Sequence, residues 1–147
     1  NELGAAFGLT QLKSLKRNIE IREKNFNLQN DFFSKYDQIF SIPKQAKNIK
    51  TGWLAYPILI NKEANFKRKD FQIFLEKRDI QTRVVFTGNI IRQPMMKNIK
   101  YKTNKDGYPN SDAVMERGVL LPLHHGMTDE MFNRLHQTIE EFIQKHV

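Results

Sequence analysis

The sequence predicts an α/β domain of the mixed α+β kind, in which a small sheet of about three or four strands is covered by helices. Three observations carry this. The chain has 147 residues, the length of one domain built round a single core. Helix-like and strand-like segments alternate in the order helix, helix, strand, helix, strand, loop, helix, strand, helix. There is no cysteine, so neither disulfides nor a thiolate metal site can replace a packed core. The pattern leaves the strand directions open.

Glu2 to Leu12 places Leu3, Ala6 or Phe7, Leu9 and Leu12 at helical spacing, while Gly4, Ala5 and Gly8 leave a face of small residues. Glycine costs a helix interior about 1 kcal/mol, so this face implies a closely packed neighbour. A break is expected near Ser14 to Lys16. Beyond it Ile19, Phe26, Phe33 and Tyr36, supported by Leu28 and Phe32, mark a longer helix running toward Pro43. The chain opens at Asn1 without an initiator methionine and directly on a helical pattern, which reads as a piece of a longer protein whose remainder holds the missing neighbour.

Trp53 to Ile60 is almost wholly apolar and reads as a buried strand, with Pro57 arguing for an edge or a bulge. Asn65 is the expected cap of a helix with Phe66, Phe71, Phe74 and Leu75 inward and Lys67, Arg68, Lys77 and Arg78 outward. Ile80 to Phe86 is the next strand. A long, polar, lysine-rich connection from Thr87 to Asn110 follows, of a length that marks a functional or mobile loop. Ser111 or Asp112 is expected to open a short helix closed by Gly118. Val119 to Leu123 forms a third strand. Thr128 then caps a last helix, with Asp129 and Glu130 in its first turn and Leu135, Ile139 and Phe142 inward.

The net charge is +8, from 24 Lys and Arg against 16 Asp and Glu, which raises the question of polyanions. The basic residues are spread over Lys13 to Lys24, Lys67 to Arg78 and Lys97 to Lys105, mostly among acids, and no base-stacking motif, zinc finger or helix-turn-helix spacing accompanies them. A solvated surface explains them better than nucleic acid does. The absence of cysteine fits a reducing compartment, so cytoplasm is the expected location; no apolar run reaches the roughly 18 to 20 residues a membrane helix needs, and nothing resembles a signal peptide.

Two stretches carry groups suited to chemistry. In FTGNIIRQPMM, Phe86 to Met96, Gly88 permits a turn that a Cβ would obstruct, Asn89 can donate and accept, and Arg92 offers a planar fork for carboxylate or phosphate. Arg83 could do the same from the preceding strand. Gln93 and Pro94 set the exit of the loop, and Met95 and Met96 read as packing residues. A surface or structural ion pair accounts for each arginine equally well. In LPLHHGMTDE, His124 and His125 follow a strand and precede a helix, and adjacent residues on extended chain point to opposite sides, so one of them can face a site. There is no glycine-rich phosphate loop, no HExxH and no nucleophile elbow, and the chain alone lacks an evident catalytic engine.

Taken together, ELGAAFGLTQLKSL, IQTRVVFTGNIIRQP and VLLPLHHGMTDEM, in that order, resemble the C-terminal part of the DegT/StrS family of sugar aminotransferases. Glu2, Leu3, Ala5, Ala6, Gly8, Gln11 and Leu12 match the family's (D/E)-(M/I/L)-x-A-A-x-G-x-x-Q-L helix. Thr82, Arg83, Phe86, Gly88, Asn89, Arg92, Gln93 and Pro94 match TR-x-x-F-x-GN-x-x-RQP, which is similar to the nucleotide-sugar 3-dehydratase branch. His124 matches a position often followed by proline in the family, where this chain has His125.

The resemblance implies that residues 1–147 form the small C-terminal domain of an aspartate-aminotransferase-like fold, with 1–45 as the helical segment joining it to a large domain. It implies a pyridoxal-phosphate or pyridoxamine-phosphate enzyme in lipopolysaccharide and O-antigen sugar biosynthesis, dimeric, inactive as this fragment, with the cofactor held mainly by the large domain. The residue working on the cofactor, a Schiff-base lysine in the aminotransferases or a histidine base in the 3-dehydratases, would lie there too. The implied substrate is a nucleotide-linked 4-keto-6-deoxy sugar, and the reaction amino transfer or loss of the 3-hydroxyl. Asn89 and Arg92 are the foremost expected contacts to substrate or cofactor, then Arg83, with Gly88, Gln93 and His124 beside them. The rival expectation is a basic binding or regulatory module gripping an acidic partner through Lys97 to Lys105.

Overall fold

Two prolines set the shape of the sheet in the computed structural model, which describes residues Asn1–Val147. Strands β1 (Phe40–Ser41), β2 (Ala55–Ile60), β3 (Arg83–Val84) and β4 (Gly118–Pro122) form one antiparallel sheet in the order β1-β2-β4-β3. Phe40 faces Ile60 and Ser41 faces Leu59, and the Asn61 N–H donates to the Ile39 carbonyl, so the odd-numbered amides of β2 point toward β1. Continued by two residues, that register would set Pro43 against Pro57 as a hydrogen-bonded pair in which neither can donate. So β1 stops at Ser41. Pro57 is thus paired with Leu120 on one side and has no strand partner on the other, a local edge without a bulge, where the sequence called for an edge or a bulge.

Five segments flank the sheet: α1 (Glu2–Phe33), α2 (Arg68–Glu76), a pair of 3-10 turns (Ile90–Arg92 and Pro94–Asn98), α3 (Pro109–Arg117) and α4 (Asp129–His146). β2 and β3 both run antiparallel to β4 and so parallel to each other, which makes β2-α2-β3 a split unit with β4 inserted. β2 alternates, with Tyr56, Ile58 and Ile60 buried and Ala55, Pro57 and Leu59 half-buried, where the sequence suggested uniform burial. That alternation belongs to an antiparallel strand with one face on the core. None of the helices is long and apolar enough to cross a membrane.

α1 runs unbroken through Ser14 to Lys16, because no glycine or proline lies between Gly8 and Pro43 to stop it. The Asn1 side chain caps it, accepting from the Gly4 amide at 3.2 Å. Only its C-terminal part reaches the core, where Phe33 meets Phe40 edge-on at 5.3 Å and Tyr56 at 5.4 Å between ring centroids. Phe71 and Phe142 extend this cluster at 5.2 Å.

Other helix starts differ from expectation for identifiable reasons. α2 begins at Arg68, with the Asp70 carboxylate accepting the Lys67 N–H at 3.3 Å, and Asn65 takes no part. Arg68 is not an outer solvated residue: its Nη1 donates to the Met115 carbonyl at 2.7 Å, tying α2 to the end of α3. α3 begins at Pro109, whose fixed φ suits a first helical position, so Asp112 is free of capping duty. Thr128 caps α4 as expected, accepting from the Met131 amide at 3.3 Å. The strand expected over Ile80 to Phe86 shrinks to Arg83–Val84, since Phe86 turns to φ +45° and bonds back to the Val84 carbonyl at 2.9 Å.

Candidate functional site

Beyond β3 the chain enters a loop fixed from several directions. Gly88 sits at φ +63°, and a Cβ there would stand 2.3 Å from that of Met115, so both backbone and space require glycine. Asn89 is only 4% exposed: its Oδ1 accepts from the Ile91 amide at 3.2 Å and its Nδ2 donates to Asp112 Oδ1 at 2.8 Å. Arg92 grips the same carboxylate with two bonds, Nε to Oδ1 at 3.0 Å and Nη2 to Oδ2 at 2.8 Å. Gln93 closes the loop by donating to the Thr87 carbonyl at 2.8 Å. Met95 is exposed, against the packing role read for it, and Met96 is half-buried.

The bond from Arg92, followed by that from Asn89, draws Asp112 down to about 2. The carboxylate is therefore charged at any ordinary pH. Arg92 keeps its Nη1 free of intrachain hydrogen bonds, on a side chain 60% exposed. Sequence reasoning missed Asp112 as a partner of this loop. Its only sequence signal was the proline three residues earlier, which could have shown that the acid was not needed as a cap.

The other two expected residues lie apart from this latch. Arg83 and His124 both line a cavity of about 470 Å³ between the end of the sheet and α4, whose apolar wall includes Leu54, Leu123 and Met131. The Arg83 Nη1 donates to the carbonyl of Thr82 at 2.9 Å and meets no acid. Thr82 is buried, held by Gln72 at 2.9 Å and Glu76 at 2.8 Å, which anchors the strand carrying Arg83. The His124 Nδ1 accepts from the Gly126 amide at 3.2 Å, so the neutral ring carries its proton on Nε2. The Asn25 amide holds the His124 carbonyl at 3.0 Å. Arg134, on α4, completes the basic rim.

The expected residues thus form two groups, Gly88, Asn89, Arg92 and Gln93 in the latch and Arg83 with His124 at the cavity. Every lysine is exposed, and no buried side-chain polar atom lacks a hydrogen bond. The chain alone offers no desolvated lysine, and Arg83, Arg92 and His124 are all exposed.

Comparison with known proteins places this geometry. The chain is 31% identical over 144 residues to the dTDP-4-dehydro-2,6-dideoxy-D-glucose 3-dehydratase of Saccharopolyspora spinosa, covering 98% of this chain and 31% of that protein. It is 28% identical over 141 residues to the lipopolysaccharide biosynthesis protein RfbH of Salmonella typhimurium, covering 96% of this chain and 32% of that one. The chain therefore spans about a third of the length of these curated relatives. The fold is shared with the GDP-4-keto-6-deoxy-D-mannose-3-dehydratase of E. coli, solved with bound hydrated PLP, at a TM-score of 0.81 and 22% identity, covering 90% of this chain and 33% of that one. The model of the DegT/DnrJ/EryC1/StrS aminotransferase family matches residues 1–140, and the chain belongs to that family.

Proposed function

We propose that residues 1–147 are the small C-terminal domain of a dimeric, cytoplasmic nucleotide-sugar enzyme that depends on pyridoxal phosphate or pyridoxamine phosphate, with 1–45 joining it to a large domain. The family match over 1–140 carries this reading. Relatives named as 3-dehydratases of nucleotide-linked keto sugars and as a lipopolysaccharide biosynthesis protein support the substrate class and the setting. The cofactor, when bound, supplies an electron sink for carbanion chemistry and carries the amino group.

This chain's own residues bind and orient. Arg92 presents its outward guanidinium edge to an anionic or carbonyl oxygen while Asp112 holds it in one direction. Asn89, Gly88 and Gln93 keep the loop in the shape that aims it. Arg83 and the His124 Nε2–H contribute donors from the cavity. In this reading the residue that works on the cofactor, a lysine or a histidine, belongs to the large domain, so the fragment is expected to be inactive alone.

The test is an assay of the polypeptide that contains this chain, supplied with either cofactor form and a nucleotide-linked 4-keto-6-deoxy sugar, following amino transfer and loss of the 3-hydroxyl separately. Turnover in one of them is expected, falling at least about tenfold in Arg92→Ala. Absence of both, together with steeply salt-dependent adhesion to polyanions, would favour a basic module acting through the exposed Lys97, Lys100, Lys102 and Lys105.

A further inference from the structure

We infer that Asp112 is a positioning residue that decides what Arg92 reads: it turns the guanidinium into a fixed, charge-compensated donor for an uncharged oxygen, such as a sugar hydroxyl or keto group, and withholds it from phosphate and carboxylate. Of the anionic and carbonyl oxygens open to Arg92, only the uncharged kind remains. The nucleotide-sugar reading is needed only to call that oxygen a sugar's, and the state of the ion pair is independent of it.

The pair is held from both sides. The Arg92 Nε donates to Oδ1 at 3.0 Å and its Nη2 to Oδ2 at 2.8 Å, the two parallel bonds of a fork, which fix the plane of the guanidinium as well as its distance. Asn89, buried, adds a bond from its Nδ2 to Oδ1 at 2.8 Å, so the carboxylate is tied down apart from the arginine it holds. The helix that carries Asp112 is fixed in turn. Arg68 donates to the Met115 carbonyl at 2.7 Å, and Gly88 admits the Met115 side chain to a distance that a Cβ would forbid. The free N–H groups of Arg92 are thus aimed before a ligand arrives, which lowers the ordering cost of binding.

Charge decides the kind of ligand. A phosphate beside a lone guanidinium meets a full positive charge, whereas beside this pair it meets a guanidinium and a carboxylate whose fields largely cancel. An uncharged oxygen loses little by that cancellation, because it needs an aimed N–H more than a field. Asp112 titrates at about 2, so the compensation holds at any working pH. Stability is a poor account of the acid, since an ion pair on an exposed arginine adds little to it. Arg83 supplies the contrast within the same chain: it is exposed and makes no ion pair, so its charge stays uncompensated and open to anions.

The first experiment titrates the 147-residue chain with inorganic phosphate at low salt and follows the Nε–H resonances of Arg92 and Arg83. Phosphate should bind at Arg83 at least about fivefold more tightly than at Arg92. In Asp112→Asn, which keeps the shape of the side chain and one accepting oxygen but drops the charge, Arg92 should rise to the level of Arg83. An equal response of the two arginines in the unaltered chain would overturn the inference, and that comparison needs no variant to fold. The second experiment uses the polypeptide that contains this chain, with a nucleotide-linked 4-keto-6-deoxy sugar. Asp112→Asn should raise KM about tenfold with a smaller change in kcat, and strengthen competitive inhibition by inorganic phosphate at least about fivefold, while Asp112→Glu should recover part of the KM. A role in folding alone would lower activity without strengthening that inhibition, so unchanged inhibition in Asp112→Asn would also overturn the inference. Absence of turnover in the unaltered polypeptide would remove the proposed function and leave the phosphate titration to decide on Arg92.

Discussion

One helix, α1, lives in two environments. Phe26, Phe32 and Phe33 near its C-terminus are 4%, 5% and 0% exposed, whereas Leu3, Phe7 and Leu12 near its N-terminus are 83%, 68% and 62% exposed. The apolar spacing is helical in both halves. Periodicity therefore announces that a face wants a partner, and it does not say whether the partner lies in the same chain. The same contrast runs through the molecule, between an aromatic core closed on itself and a rim of loop, cavity and helix whose groups point outward.

The largest expected effect tests the closed side. Phe33→Ala removes a ring that meets Phe40, Tyr56 and Phe32, and should cost about 3–5 kcal/mol in denaturant unfolding. Phe7→Ala, in the same helix, should cost less than about 0.5 kcal/mol. Comparable losses would mean that the two halves share one core after all.

The latch comes next, since it faces outward yet holds Asn89 buried. Gly88→Ala demands φ +63° of a residue with a side chain and drives its Cβ into Met115. A loss of about 2–3 kcal/mol is expected, read from the unfolding midpoint. A near-neutral result would show that the loop relaxes freely and cannot aim Arg92.

A pH effect of the closed region follows. His136 stacks on Phe32 at 3.8 Å and places its Nε2–H on Gln29 Oε1 at 2.9 Å, and burial holds it down at about 4 from its ordinary 6.5. Glu140 pulls the other way and Lys35 with the burial. The unfolded chain takes up the proton near pH 6.5 and the folded chain only near 4, so stability is full above 6.5 and falls between those values. Linkage over that interval gives about 3 kcal/mol, cut to the order of 1–2 kcal/mol by water at the ring's open side. Unfolding midpoints at pH 7 and 4.5 measure it, and His136→Gln should flatten the slope.

How much of this could be read beforehand follows from whether each signal is local. Thr128, the inward face of α4 and the glycine at 88 were legible because a cap, a period and a turn each reside in a few adjacent residues. The family motifs marked Arg83, Asn89 and Arg92 as notable. They could not show that Arg92 and Asn89 converge on Asp112, twenty-odd residues along, while Arg83 and His124 line one cavity elsewhere, because those placements arise from antiparallel strand order. The short β1 depended on Pro43 falling opposite Pro57, a register that neither segment encodes alone.

The smallest global effect gives the sharpest test of the two environments. A Cβ at Gly4 or Gly8 would meet nothing within 4 Å, so the small-residue face stands open in this chain. Alanine is a better helix former than glycine by about 0.8–1 kcal/mol per site, and the double variant Gly4→Ala, Gly8→Ala should tighten the local helix by nearly that sum. If the N-terminal half of α1 opens independently of the core, global unfolding should move by less than about 0.3 kcal/mol, while amide exchange over residues 5–12 slows about fivefold or more. If instead global stability rises by the full amount, the half opens only when the core does, and its exposed leucines are part of the folding unit despite touching so little of it. In the proposed enzyme the same alanines should act in the opposite direction, weakening the docking of α1 against the large domain proposed to cover its small face.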